Sequence, residues 1–154
     1  MPYDTRDMLK LAIALTATPV PGVADETRWR AAVGRAYYAC WLTARDRLFS
    51  VDGMPTRSQK NKIGRKPPGS HWEVINGLGA NEAMDRGRRK VQRDQLQTLK
   101  AMREAADYRN ATTHAKVRDL FRTLDVATWE ELADECLALA SQVLPDMERV
   151  PRFQ

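Results

Sequence analysis

Residues 25–49 read DETRWRAAVGRAYYACWLTARDRLF, and the pattern of this stretch indicates the fold class. Its apolar residues recur every three or four positions, which is the spacing of one face of an α-helix. We therefore predict a helix from about Asp25 to Phe49, with the Asp25 carboxylate as its N-cap. The residues predicted to form its apolar face are Trp29, Ala32, Val33, Ala36, Tyr37, Cys40, Trp41, Ala44 and Leu48.

The same periodicity continues through the rest of the chain. Further helices are predicted over Thr5–Ala17, from Ser70 to about Gly77, over about 82–110, and from a capping box that starts at Thr128. Residues 53–70 are rich in Pro, Gly and basic residues, and we predict a mobile basic loop there. With 154 residues and no strand-like alternation, the chain is predicted to be all-α. We expect a single domain over residues 1–154, built as an antiparallel helical bundle of four to five helices.

Charge is unevenly distributed along the sequence. There are 25 Lys and Arg against 20 Asp and Glu, which gives a net charge of +5. Residues 57–93 contain ten basic residues and three acids, whereas residues 125–148 contain seven acids and no Lys or Arg. The basic cluster favours RNA as a partner, with a solvated charged face as the alternative. The residues predicted to contact RNA are Lys60, Lys62, Arg65, Lys66, Arg86, Arg88, Arg89, Lys90 and Arg93.

Cysteine content and hydropathy indicate where the protein works. Cys40 and Cys136 lie among apolar residues at helical spacing, so we predict reduced core residues and not a disulfide framework. The longest apolar stretch, Leu11–Ala17, is far too short to span a membrane. Asp4 and Asp7 stand where a signal peptide would carry basic residues. The sequence therefore predicts a cytoplasmic protein that does not bind a membrane.

Of the two histidines in the chain, His114 lies in the more suggestive surroundings. Arg109 and Asn110 precede it, after a long amphipathic helix. Imidazole can take or give a proton, a guanidinium can stabilise charge on a phosphate, and an amide can orient either group. RNA cleavage without a metal needs such groups, but this spacing also occurs by chance. His71 is interpreted as a surface residue in the first turn of a short helix.

Other common catalytic patterns do not occur in the sequence. It has no phosphate-binding or dinucleotide-binding glycine motif, no nucleophile elbow and no clustered Cys/His metal pattern. We therefore predict neither a cofactor nor a metal site. The acids Glu130, Glu131 and Asp134 are interpreted as part of a solvated helix face.

Two segments resemble helices typical of the HEPN domain family. Residues 30–41, RAAVGRAYYACW, are similar to the SRAYYA helix of that family, with Gly34 where Ser is commoner. Residues 99–108, LKAMREAADY, are similar to its L-x-x-x-R-x-x-A-D-Y helix. Ser70-His71 at the start of a short helix fits the same layout, so the resemblance extends over roughly residues 5–147.

The resemblance implies a function and roles for three residues. Many HEPN proteins are metal-independent endoribonucleases with an R-x4–6-H motif whose second residue is polar, and Arg109, Asn110 and His114 match it. By this resemblance His114 acts as general base or acid, Arg109 binds the scissile phosphate, and Asn110 positions one of them. A two-fold homodimer with a composite active site is also implied, since one motif holds one His and the reaction needs a base and an acid. The expected product ends are 2′,3′-cyclic phosphate and 5′-hydroxyl.

The resemblance also suggests partners and a rival function. The family includes toxins and defence effectors, so a nucleotidyltransferase-type antitoxin or another regulator is a candidate partner. In that toxin branch a Tyr often stands two residues after the His, and Lys116 at this position argues against that mode of control. The alternative function is a non-catalytic HEPN module that binds RNA, a nucleotide or a partner protein. A third interpretation is a structural bundle whose acidic last helix docks a basic partner.

Overall fold

The chain is all-α, as predicted, in a computed structural model that describes residues 4–49, 53–64, 70–108 and 114–154. The helices within these residues are α1 (Thr5–Ala17), α2 (Asp25–Leu48), α3 (Arg57–Ile63), α4 (Ser70–Ala80), α5 (Arg86–Asp107), α6 (Ala115–Leu124) and α7 (Trp129–Met147). The predicted number of four to five helices is wrong, because the described residues contain seven. The two helices that the sequence did not predict are α3 and α6.

Helix α3 lies within the segment that was predicted to be a loop. A capping box starts it: Thr56 Oγ1 accepts a hydrogen bond from the Gln59 backbone N–H at 3.2 Å, and Gln59 Oε1 accepts one from the Thr56 backbone N–H at 2.8 Å. These reciprocal bonds satisfy amides that a short helix cannot satisfy itself. Local polar chemistry therefore builds a helix where apolar periodicity is weak. Residues 65–69 of the predicted loop lie outside the described residues.

Helix α6 directly follows His114. Its Val117 is buried, and the ring of its Phe121 meets the ring of Trp129 edge-on, with the ring centres 5.1 Å apart. A helix of 10 residues that packs largely through two side chains gives little periodic signal. This explains why the sequence predicted no element between residue 110 and Thr128.

The other helix boundaries agree with the predictions to within a few residues, but the predicted N-cap of α2 is wrong. Asp25 lies inside the first turn of α2, and its carboxylate accepts a hydrogen bond from Arg28 Nη2 at 2.6 Å. At the start of α7, the predicted Thr128 cap is confirmed, because its hydroxyl accepts from the Glu131 backbone N–H at 3.1 Å. The Glu131 carboxylate accepts from the backbone N–H of Ala127 at 2.6 Å.

Residue contacts divide the chain into two compact units, and the division falls inside α2, α5 and α7. Unit 1 comprises Met1–Ala39 and Thr98–Ser141, and unit 2 comprises Cys40–Gln97 and Gln142–Gln154. The single domain predicted over residues 1–154 stays a prediction.

Unit 1 buries the first part of the predicted α2 face. Val33 and Tyr37 are completely buried. The Cys136 thiol on α7 donates to the Val33 carbonyl oxygen at 3.9 Å, so α2 and α7 are in direct contact. Burial raises the pKa of this thiol to about 12. As predicted, Cys136 and Cys40 are both buried and free.

Unit 2 packs around Phe49 and Phe153. Their rings meet edge-on with centres 6.5 Å apart, and the Phe153 backbone N–H donates to the Leu48 carbonyl oxygen at 3.0 Å. Gln59 Nε2 on α3 donates to the Phe153 carbonyl oxygen at 2.7 Å. The residues after α7 are thus held against the end of α2 and against α3. Other buried apolar residues of unit 2 are Trp41, Val74, Leu78, Leu96, Val143 and Met147.

The two faces of α7 have opposite character, as the sequence predicted. Every residue of its apolar stripe is buried, from Trp129 to Met147. Glu130, Glu131 and Asp134 are exposed, which confirms a solvated acidic face. Within the part of the chain that the structure describes, no helix has the length and apolar character needed to cross a membrane.

Two helical glycines give a matched test of the packing. A Cβ added at Gly34 in α2 would meet nothing within 4 Å, whereas one at Gly77 in α4 would lie 3.2 Å from Phe49 Cζ and 3.4 Å from Leu48 Cδ1. We expect Gly34→Ala to raise the free energy of unfolding by about 0.5–1 kcal/mol, because Ala has the higher helix propensity. Gly77→Ala should gain less or lose stability, since the Phe49 ring must shift. Urea unfolding followed by circular dichroism measures both, and equal gains would contradict the close Gly77–Phe49 packing.

Candidate active site

Of the three predicted catalytic residues, the structure describes His114. Arg109 and Asn110 lie outside the described residues, in the segment between Tyr108 and His114. His114 belongs to unit 1 and occupies the N-cap position of α6, with extended backbone angles (φ −78°, ψ 125°). The described part of the site is therefore the end of α5, the start of α6 and the contacts that hold them.

The His114 ring acts as the N-cap of α6. Its Nδ1 accepts a hydrogen bond from the Lys116 backbone N–H at 3.3 Å. An acceptor nitrogen carries no proton, so the neutral ring that makes this bond has its proton on Nε2. The cap therefore sets both the tautomer of His114 and the direction in which Nε2 is presented.

The Tyr108 ring holds the other side of His114. The two rings are stacked, with centres 4.2 Å apart and planes at 20°. Tyr108 directly follows α5, and its backbone N–H donates to the Ala105 carbonyl oxygen at 3.3 Å. The two residues that flank Arg109 and Asn110 are therefore in contact with each other.

Arg30 is a further residue of this site that the sequence did not predict. From α2, its Nε donates to the Ala106 carbonyl oxygen at 2.7 Å, and its Nη2 donates to the Tyr108 carbonyl oxygen. Arg30 opens the stretch that resembles the SRAYYA helix, but its partners are 76 and 78 residues away. No local sequence signal could have revealed these contacts.

The tyrosines of the resembling helices have structural surroundings. Burial raises the pKa of the Tyr37 hydroxyl above its usual range. The Arg103 guanidinium lies over the Tyr38 ring, 5.5 Å from its centre, and pairs with the Asp107 carboxylate at 2.9 Å. These contacts confirm the interpretation of Tyr37 as core and of Asp107 as a residue with a local structural partner.

Those residues predicted to contact RNA that the structure describes all lie in unit 2, on α3 and α5. Arg65 and Lys66 lie outside the described residues. Lys60 Nζ is 3.9 Å from the Glu73 carboxylate, and Lys62 Nζ donates to the carbonyl oxygen of the last residue at 2.9 Å. The protein itself thus engages both lysines of α3.

The start of α5 is strongly basic. Its first five residues include Arg86, Arg88, Arg89 and Lys90, and its first turn contains no acid. Cations there add to the positive end of the helix dipole, which is unfavourable for the protein alone. Arg86 and Lys90 are exposed, while Arg88 donates to a backbone carbonyl that follows α7 at 3.2 Å. Arg93 pairs with the neighbouring carboxylate of Asp94 at 3.2 Å.

Arg89 differs from its neighbours because it is partly buried. With Lys62 it borders a cavity of about 560 Å³, whose lining also includes Glu82. This arrangement joins the two basic helices at one cavity of unit 2. In the residues that the structure describes, no group of three or more His, Cys, Asp or Glu is placed to hold a metal ion.

Comparisons of the chain with protein-family models, with curated proteins and with solved structures found no match. The functional argument therefore rests on the residues themselves and on the contacts around His114.

The cap can be tested by stability. His114→Ala removes both the cap and the stacked ring, and we expect it to lower the free energy of unfolding by about 1 kcal/mol. His114→Asn should be more stable than His114→Ala, because the Asn side chain is a preferred N-cap. Urea unfolding of the two variants provides the comparison. Equal stabilities would show that His114 does not cap α6.

Proposed function

We propose that this protein is a metal-independent endoribonuclease of the HEPN type, acting as a homodimer with a composite active site. The observation that carries the proposal is the position of His114, held at the start of α6 and against the Tyr108 ring. These two residues flank Arg109 and Asn110 in the sequence. An imidazole positioned by two contacts next to an arginine suits acid–base chemistry on a phosphate. A role as a toxin or defence effector belongs to the same proposal.

In the proposed reaction the ribose 2′-oxygen attacks the adjacent phosphorus while a base removes its proton. The 5′-oxygen of the next nucleotide leaves with a proton from an acid, which gives 2′,3′-cyclic phosphate and 5′-hydroxyl ends. The Arg109 guanidinium stabilises the negative charge that develops on the phosphate oxygens. The His114 residues of two protomers supply the base and the acid.

The Lys116 contact bears on how His114 reacts in this scheme. Because Nδ1 accepts the Lys116 N–H, Nε2 is the nitrogen that meets substrate, and in the neutral ring it carries the proton. To accept a proton at Nε2, the ring must hold its other proton on Nδ1, which breaks the cap. The hydrogen bond is long at 3.3 Å, so its loss costs on the order of 1 kcal/mol. Proton transfer by His114 therefore includes opening of the first turn of α6.

Cleavage of a labelled RNA in the presence of EDTA tests the proposal. We expect wild-type protein to cut, and His114→Asn and His114→Ala each to lower the rate by about 100- to 10,000-fold. The Asn variant keeps a cap, so its loss of activity would reflect chemistry and not the folding of α6. His71→Asn is the matched control and should retain activity, because His71 packs on Trp41 in unit 2.

Two results would overturn parts of this proposal. Normal cleavage by His114→Asn would refute the role of His114. RNA binding without turnover by the intact wild-type dimer would favour the non-catalytic HEPN module instead.

The basic start of α5 is proposed to contact the RNA backbone, which salt dependence can test. Arg86→Gln and Lys90→Gln should each reduce the slope of log affinity against log salt by about 0.7, the contribution of one phosphate contact on a single strand. Lys10→Gln is the control, since Lys10 is an exposed lysine of α1 paired with Asp7 at 2.9 Å. Unchanged slopes for Arg86→Gln and Lys90→Gln would remove α5 from the RNA surface.

A further inference from the structure

Arg30 makes an unusually complete set of contacts for an arginine that is only 22% exposed. Two of its nitrogens donate to the carbonyl oxygens of Ala106 and Tyr108. Its Nη1 donates to the Glu26 carboxylate at 3.2 Å, and its guanidinium lies 5.1 Å from the centre of the Trp129 ring. The guanidinium is therefore held by a carboxylate and an aromatic ring while it binds the end of α5.

The end of α5 needs a partner of this kind. The last carbonyl groups of a helix have no acceptor role within the helix itself, and together they form the negative end of its dipole. Helix α5 has no basic residue in its own last turn. Arg30 supplies the missing cation from α2, and its planar fork can serve two carbonyls at once.

The contacts of Arg30 continue to His114. Arg30 binds the backbone of Tyr108, the Tyr108 ring stacks on the His114 ring, and His114 caps α6 through Lys116. All of these residues belong to unit 1. We propose that Arg30 is a positioning residue, which holds Tyr108 and thereby fixes the His114 imidazole for the reaction. This inference rests on the proposed function for its catalytic consequence, but not for the contact itself.

Arg28 provides a matched control on the same helix. Its Nη1 donates to the carbonyl oxygens of Leu15 and Thr18 at the end of α1, and its Nη2 pairs with Asp25. Like Arg30 it is a largely buried arginine that holds the end of another helix. None of these contacts involves Tyr108 or His114, so loss of Arg28 should cost stability without moving the imidazole.

The experiment records the imidazole signals by proton–carbon NMR in the full-length protein. With two histidines in the chain, His114→Asn assigns both signals. The stacked Tyr108 ring shields the His114 ring protons, so we expect Arg30→Lys to move the His114 signal in the direction of its position in Tyr108→Leu. Arg28→Lys should leave the His114 signal in place, and the His71 signal should stay in place in both variants.

A double variant keeps the test decisive even where Arg30→Lys also weakens the fold. If Arg30 acts through the Tyr108 ring, Arg30→Lys should have no further effect on the His114 signal when Tyr108 is already Leu. An unchanged His114 signal in Arg30→Lys would overturn the proposal, and so would equal effects in the presence and absence of the Tyr108 ring.

Activity adds a readout that separates this proposal from the proposed function. We expect Arg30→Lys to lower kcat by about 10- to 100-fold with little change in KM, as for a misplaced catalytic group. Arg28→Lys should match it in unfolding free energy but keep a near-normal kcat. Equal kcat values for the two variants would overturn the catalytic consequence of positioning. Normal cleavage by His114→Asn would instead overturn the proposed function, while the NMR result for Arg30 would stand.

Discussion

Burial of one face of α2 is the constraint on which the other elements depend. The apolar residues of that face are buried from Ala32 to Leu48, and each large one contributes about 1.5–3 kcal/mol to folding. The same helix carries Arg28 and Arg30, whose guanidinium groups bind carbonyls at the ends of α1 and α5. Helix α2 thus provides apolar surface, and within unit 1 it also satisfies polar groups that the ends of two other helices leave without partners.

His114 carries two demands that compete for the same lone pair. As N-cap of α6 it uses Nδ1 as an acceptor, whereas in the proposed reaction the ring must gain and lose protons. The stacked Tyr108 ring holds the imidazole in place without using either nitrogen. This division of labour explains how a ring could be fixed in position and still be free to change its protonation state. A residue that serves both stability and chemistry is typical of functional sites, where local rules of folding are broken.

The start of α5 and the start of α7 treat helix electrostatics in opposite ways. Helix α7 has Glu130 and Glu131 in its first turn, where the dipole favours negative charge. Helix α5 begins instead with Arg86, and no acid lies in its first turn. An arrangement chosen for stability alone would resemble α7. The cost at α5 is therefore an argument for an anionic partner, and it agrees with the net positive charge of residues 57–93.

Much of the fold could be predicted from the sequence, because the signals for α1, α2, α5 and α7 are local. Periodicity and caps depend on residues three or four positions apart, so the buried faces of α2 and α7 and the Thr128 cap were predictable. Helices α3 and α6 were not, since their few apolar residues form no clear pattern. For the site, the sequence by itself singled out His114 and its motif. Only the tertiary structure revealed the Tyr108 stack and the Arg30 contacts, because the latter join backbone groups to a side chain 76 and 78 residues away. Backbone carbonyls are the same in every residue, so no sequence pattern can specify which of them a distant arginine will bind.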